Sequence, residues 1–543
     1  MEKISARDIL ITTVPPWGLE NPPLGLAFLS EYLRAKGVEV EVVDFNLCSY
    51  QDLGPEYRML WHVENKNYWS YPDTFSIILK ILEEEIDSFV QAISSSPARM
   101  VGFSVVDPKE RLTIEIIKRV RKQSPDKKIV LGGPACSTEE QRRIFIQSVP
   151  KDIDAMVVGE GEETLFELVD RLKKRKSLQG TPGALTRVRG QWKFVSRSRF
   201  PSLDSIPYPT YQGFKLHQYL GRTLLVEWSR GCIGQCSFCK NWRLVRGYRC
   251  RSAPHIMEEL IYHYQKNRVS EFTVCDPVLN GNPGTLKEIC EHIIHSGYRF
   301  RWSGELTPSS RMPRTLFTLM REAGCFKLQI GVESGSDRVL RLMQKIYTVR
   351  DAENTIRNAR KAGITTEIFL LIGYPGERDE DFKMTTQFIK RNRKYIHTIK
   401  SINTLHLIAG TDLYEKPRDY GILPLPEKDW HYMWKTADGN DYSLRSQRAR
   451  QILDLARDLG IEVRETNLSE GKEQDFSLQD LSRGWEGVRA NVNILQRLKI
   501  KPKKKRSLFR FVYILSMLLA TLLADLYLWI LKKVRRTVVF PGG

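Results

Sequence analysis

Over its first 420 or so residues the chain repeats one pattern: an apolar run of four to nine residues, a turn rich in glycine or proline, then a longer stretch with apolar residues at helical spacing. Eleven strand-like runs of this kind occur, five before residue 160 and six after residue 222. Two strands joined by a helix lie parallel, because a parallel neighbour is reached only through a crossover of a dozen or more residues. The pattern therefore confines the fold to α/β architectures whose sheets are covered by helices.

The first five runs are 8–13, 38–43, 100–104, 128–131 and 155–158. Helical patterns at 24–36, 75–94, 109–122, 138–147 and 162–173 separate or follow them, with a less regular stretch at 48–74. This predicts a doubly wound, flavodoxin-like parallel sheet over residues 1–200. Residues 180–212 are richer in proline, glycine and polar residues, and 195–211 reads as an extended connector. The next six runs, 223–228, 271–275, 299–303, 327–331, 366–372 and 399–407, alternate with helical patterns over about 200 residues. Six such units suit a partial (β/α)6 barrel of TIM type over 201–422, with chemistry at the carboxyl ends of the strands. Residues 423–496 read as a small mixed cap, with a helix at 443–459 and aromatics at Trp430, Tyr432, Trp434 and Trp485.

Charge is unevenly placed. The formal net charge is +20, yet from Arg497 onward twelve Lys or Arg stand against one acid, Asp525. The rest is only mildly basic, so charge gives little support for a nucleic-acid partner, and none is expected. Inside that basic tail, 511–531 is apolar except for Ser516, Thr521 and Asp525, long enough as a helix to cross roughly 30 Å. The eight basic residues just before it predict association with the cytoplasmic side of a membrane. Lys532, Lys533, Arg535 and Arg536 after it disfavour full crossing, and the alternative is a helix buried in a partner or a dimer. Nine cysteines, an odd number, and a charged start at Met1–Asp8 predict a reducing, cytoplasmic setting with cysteines kept for metal chemistry. Six of them are scattered and read mostly as small buried apolar residues.

The remaining three, Cys232, Cys236 and Cys239, share one loop directly after the first strand of the second block. Three thiolates at this spacing can hold one metal centre and leave its fourth position open. The alternative is a structural zinc site with Cys250 as fourth ligand. At the strand ends of the first block, turns at 15–25, 132–134 and 159–164 carry glycines that admit a large ligand, or simply close tight turns. None spells a dinucleotide fingerprint or a phosphate loop with its lysine.

The cysteine spacing, with Phe238 before the third cysteine, resembles the radical S-adenosylmethionine (SAM) superfamily. The resemblance continues at 276–282, 331–336, 343–345 and 372–377, each at the end of or just beyond a predicted barrel strand. The first block is similar to the cobalamin-binding domain that precedes the barrel in one large class of that superfamily, through 21–27, 43–44, 132–134 and 159–162. The resemblance implies a 4Fe-4S cluster on Cys232, Cys236 and Cys239, and SAM contacts from Phe238, Asp276, Glu333 and Ser334. On the cobalamin side it implies Pro23, Leu24, Gly25, Ser104, Gly132, Gly133, Gly159, Glu160 and Gly161. No Asp-x-His-x-x-Gly motif follows the first strand, and the one histidine before His217 is His62, so a histidine from that motif is not the cobalt ligand.

The chemistry so implied is reductive cleavage of SAM, removal of a hydrogen atom from an unactivated carbon and, in cobalamin-dependent members, methyl transfer to that carbon. Implied partners are a small-molecule or lipid-like substrate and an electron donor such as flavodoxin or ferredoxin. The alternatives are a cobalamin-independent oxidation, rearrangement or cyclisation, and a non-catalytic membrane-tethered carrier or sensor of cobalamin or an iron-sulfur cluster. A methylthiotransferase acting on RNA is disfavoured, since the first block holds only Cys48 and Cys136 and cannot build a second three-cysteine cluster.

Overall fold

The computed structural model describes residues 7–468 apart from 17, 198–200, 246, 425–432 and 467. Trp430, Tyr432 and Trp485, and the apolar stretch 511–531, lie outside the described residues. Among the described residues no helix is long and apolar enough to cross a membrane.

The first sheet contains β1 (Ile9–Thr13), β2 (Val40–Asp44), β3 (Met100–Ser104), β4 (Lys128–Gly132), β5 (Ala155–Val157), β6 (Ala184–Val188) and β7 (Gln191–Phe194). Its order is β2-β1-β3-β4-β5-β6-β7, with the first five strands parallel and β6 and β7 added antiparallel. The doubly wound prediction holds, and the strand order reverses between β1 and β3, where such sheets take ligands. The hairpin β6–β7 was hidden in the polar connector, because its outer strand has no buried residue to give it an apolar face. The irregular stretch contains a helix, Phe45–Asp52, and two short 3-10 helices, and the helix predicted at 75–94 is two, Pro72–Ile81 and Glu83–Ser95.

The second sheet begins with β8 (Leu224–Val226). A two-residue ladder of β9 (Ser229–Arg230) with β10 (Arg249–Cys250) stands apart from it. The sheet continues through β11 (Glu271–Val274), β12 (Arg301–Leu306), β13 (Cys325–Glu333), β14 (Thr365–Ile372), β15 (Thr398–Thr404) and β16 (Glu462–Thr466). All seven strands are parallel, in the order β16-β15-β14-β13-β12-β11-β8, so the sheet is an open barrel with β8 and β16 at its edges. The seventh strand comes from the region expected to be a cap. The helix before it, Tyr442–Asp458, buries Ala449, Ile452 and Ala456 at helical spacing and packs on β14, β15 and β16.

The connecting helices show why this sequence folds so. Helix Val349–Lys361 starts at a capping box between Thr348 and Asp351 and buries Ala352, Thr355, Ile356 and Ala359, one face of a 3.6-residue period. Helix Glu110–Gln123 does the same in the first sheet with Leu112, Ile116, Ile117 and Val120. Trp228 and Trp302, both buried with ring centroids 5.0 Å apart, fill the wall from which the cysteine loop departs.

Candidate cofactor site

The cysteine loop leaves β8 and returns along β10, so the β9–β10 ladder forms its neck. Gly231 opens it at φ +85, and a Cβ there would lie 1.8 Å from the Gly247 carbonyl oxygen, so the neck closes only with glycine at 231. Gly234 N–H donates to Cys232 Sγ at 3.4 Å and Asn241 N–H to Cys239 Sγ at 3.5 Å. A Cβ built on Gly234 would be 3.7 Å from the sulfurs of both Cys232 and Cys236, so these two thiols face one spot. Burial pushes the Cys239 thiol up to about 11 and raises that of Cys236, where the Lys345 ammonium partly offsets it. Thiolates so placed are stabilised by a bound cationic centre and by donated N–H groups.

A mononuclear zinc site fits poorly. Among the described residues no group of three or more His, Cys, Asp or Glu side chains converges on a single ion position. Cys250 instead bonds with Tyr248 and lies by Asp276. A 4Fe-4S cluster spreads its thiolates wider than one ion does, which suits Cys232 and Cys236 facing one spot with Cys239 nearby in the same loop. Of the scattered cysteines, Cys136, Cys290 and Cys325 are buried, whereas Cys48 and Cys275 are exposed and Cys250 is half-buried.

Three strand ends hold the loop from below. Asp276, after β11, is 2% exposed; one carboxylate oxygen accepts the Trp228 N–H at 2.8 Å and the other the Ser229 hydroxyl at 2.6 Å. Burial pushes its carboxyl up to about 7. After β14, Tyr374 donates to the Leu342 carbonyl at 2.9 Å and meets the Ser237 hydroxyl at 2.6 Å, while Ser237 N–H donates to the Met343 carbonyl at 3.2 Å. At the end of β13, Glu333 stands at φ +62 beside a register shift and pairs with Lys345 at 2.9 Å. Lys345 lies 5.0 Å over the Phe238 ring; burial pulls its ammonium down, but Glu333, with Tyr347 and Cys236, raises it further and keeps it charged. A non-glycine residue in the left-handed region at a site wall is a strain that surrounding structure must hold.

The predicted SAM residues thus separate. Phe238 and Glu333 meet around Lys345 beside Cys236. Asp276 spends both oxygens on the root of the cysteine loop. Ser334, 1% exposed, turns to Thr385 at 3.3 Å and accepts the Ser336 N–H at 3.2 Å.

On the first sheet, Gly133 follows β4 at φ +90, and a Cβ there would sit 2.7 Å from the Val105 carbonyl oxygen. Ser104 ends β3 and accepts the Thr13 hydroxyl on its carbonyl at 3.1 Å. Val106, two residues on, is 39% exposed. Pro23, Leu24 and Gly25 form the start of helix Leu24–Ala35, with open space at Gly25. Glycine turns beside exposed valine suit a flat, largely apolar macrocycle laid on backbone, and among the described residues no histidine stands at these strand ends. His62 is exposed between the two 3-10 helices.

This edge faces the barrel mouth. Gly159, after β5, comes within 3.9 Å of the Leu244 carbonyl oxygen, measured from a built Cβ. Glu160, expected on the cobalamin side, binds Arg230 at 3.0 Å and also Arg249, and Glu162 binds Arg230 at 2.7 Å. Gly161 packs under Leu29. Glu110, its carboxyl raised to about 7 by burial and Asp107, lies near Lys240 beside the third cysteine, and Tyr414 contacts Glu140. Lys345 and Tyr374 lie within the motifs at 343–345 and 372–377, but sequence reasoning gave them no role, and it gave none to Arg230 or Arg249.

Comparison with known proteins gives the same division. The B12 binding domain profile matches residues 74–169 and the radical SAM superfamily profile residues 226–389. An uncharacterised methyltransferase of Pyrococcus horikoshii is 27% identical over 383 residues, 69% of this chain and 74% of that one. The anaerobic magnesium-protoporphyrin IX monomethyl ester cyclase of Rubrivivax gelatinosus is 24% identical over 316 residues, covering 55% of each chain. The radical SAM methyltransferase TsrM of Kitasatospora setae, solved with cobalamin and a 4Fe-4S cluster, superposes with a TM-score of 0.60 at 18% identity over 80% of this chain and 83% of that one, a likeness of fold. A radical SAM domain takes a 4Fe-4S cluster with SAM, and a B12 binding domain takes cobalamin. The chain thus carries a B12 binding domain followed by a radical SAM domain.

Proposed function

We propose that this enzyme transfers a methyl group to an unactivated carbon, with Cys232, Cys236 and Cys239 holding the cluster and the turns after β3, β4 and β5 holding cobalamin. The observation that carries the reading is the facing of the two carboxyl-terminal edges: the turn Gly159–Glu162 of the first sheet is bound to Arg230 and Arg249 at the neck of the cysteine loop. When bound, the cluster and SAM supply hydrogen-atom abstraction and cobalamin supplies a transferable methyl group. Asp276 and Tyr374 fix the loop, and Lys345 with Glu333 places a paired charge beside Cys236. Phe238 and Glu333 are the residues we assign to SAM. The likeness to TsrM and the Pyrococcus horikoshii relative, both named as methyltransferases, support transfer over cyclisation.

The substrate is proposed to be small and hydrophobic or membrane-borne, with a flavodoxin or ferredoxin as electron donor. The basic, apolar tail over 497–543 supports that choice by keeping the enzyme at the cytoplasmic side of a membrane.

The test is anaerobic reconstitution with iron, sulfide and cobalamin, then dithionite and methyl-labelled SAM. Expected are 5'-deoxyadenosine and label on the bound cobalamin. Stoichiometric zinc without iron and sulfide sinks the reading. An intact cluster that never cleaves SAM favours a carrier instead, and cleavage without cobalamin uptake favours a cobalamin-independent reaction.

A further inference from the structure

The β9–β10 ladder sets Arg230 directly across from Arg249. Like charges facing each other across an antiparallel pair repel and weaken it. Here the pair is only two residues long, and it is the neck on which the cysteine loop hangs. Two of the three compensating carboxylates come from the other domain. Glu160 bridges the two guanidinium groups with its two oxygens, Glu162 takes the second terminal nitrogen of Arg230 at 2.7 Å, and Glu227 takes its Nε at 2.6 Å. The Arg230, Glu160 and Glu162 side chains are 9%, 9% and 7% exposed. All three nitrogen positions of Arg230 are thereby used, each by a different carboxylate, as charge-assisted contacts.

We propose that the B12 binding domain completes the cluster site: Glu160 and Glu162 close the neck of the cysteine loop, so that they and Arg230 are positioning residues that fix the spacing between cobalamin and the cluster. This rests on the function proposed above for the identity of the two cofactors. Burial alone would raise the Glu162 carboxyl, but Arg230, with a backbone hydrogen bond and Arg249, holds the group below the ordinary carboxylate range. Removing one partner from so buried a set leaves the others uncompensated, a far larger effect than loss of an exposed ion pair. The same turn carries Gly159 on the cobalamin side, so a shift of the carboxylates moves both sites together.

The experiment uses the full chain, reconstituted with both cofactors, as wild type, Glu160→Gln and Glu162→Gln. With cob(II)alamin and the reduced cluster both paramagnetic, the cluster speeds relaxation of the cobalt signal, and the size of that effect reports their separation. The expected result is full iron and cobalamin occupancy with the relaxation effect reduced at least two-fold in each variant. The charge-exchanged pair Glu160→Arg with Arg249→Glu should restore it. Unchanged coupling at full occupancy in the single variants overturns the proposal, as does failure of the exchanged pair when it carries both cofactors. A second readout needs neither cofactor: amide exchange over 232–248 should accelerate at least ten-fold in Glu160→Gln, and equal rates overturn the proposal. If wild type takes up no cobalamin, the functional reading fails while the exchange rates still decide the clamp. Should a glutamine variant not fold, Arg249→Lys, which keeps the charge but loses the fork, takes its place with the same expected slowing of relaxation.

Discussion

The hydroxyls of Tyr374 and Ser237 lie 2.6 Å apart, joining the turn after β14 to the residue between Cys236 and Phe238. Because Tyr374 also donates to the Leu342 carbonyl, one phenol ties three segments of the barrel mouth together. Tyr374→Phe leaves that carbonyl and the Ser237 hydroxyl short of a partner, at a cost of about 1–3 kcal/mol. The expected outcome is a folded protein with lower Tm and faster loss of iron under air, read by calorimetry and by iron and sulfide analysis.

Asp276 gives a pH-dependent test. Its carboxyl is raised from 3.8 to about 7, mainly by burial, so the folded chain holds a proton that the unfolded chain releases. Stability from this group therefore falls as pH rises from about 4 to about 7. Asp276→Asn, whose amide oxygen can still accept the Trp228 N–H, lacks this titration and should gain in Tm on wild type between pH 5 and 8. Asp276→Ala should lose stability by about 1–3 kcal/mol and bind less iron at every pH. A constant gap between the Asn variant and wild type would refute the assignment.

Single substitution of Cys232, Cys236 or Cys239 by alanine should abolish the broad cluster absorption near the visible edge while leaving far-ultraviolet circular dichroism unchanged. Cys250→Ser should keep it. Loss of metal in Cys250→Ser equal to that in the other three would return the zinc site to consideration.

Glycines on the cobalamin side should differ sharply. Gly133→Ala forces a Cβ to 2.7 Å from the Val105 carbonyl oxygen at φ +90, and a side chain in that region costs about 1–3 kcal/mol. It should lower both Tm and cobalamin uptake. Gly25→Ala meets nothing within 4 Å and should leave stability unchanged or slightly improved. Titration with cobalamin, followed by absorbance, compares the two.

How much of this was legible follows from the range of each interaction. The cysteine triad and the alternation of strand and helix are local patterns, and local patterns are enough to determine the fold class, the two-block order and the cluster loop. β16 was not legible, since only Val463 of Glu462–Thr466 is half-buried and its apolar period is lost at the sheet edge. Glu160 read as part of a ligand turn because its motif is local; Arg230, which it binds in the fold, is 70 residues away. Asp276 likewise carried a motif, while the distance that decides its role runs to Trp228, 48 residues back. The sequence alone determined that three cysteines share one loop after a strand, because ligand spacing is a covalent fact, and the motifs around them indicated the cofactor chemistry through the family they resemble. Only the tertiary structure decided that the first domain's carboxylates neutralise the neck of that loop, because pairing of charges from two sheets exists only once their carboxyl-terminal edges face each other.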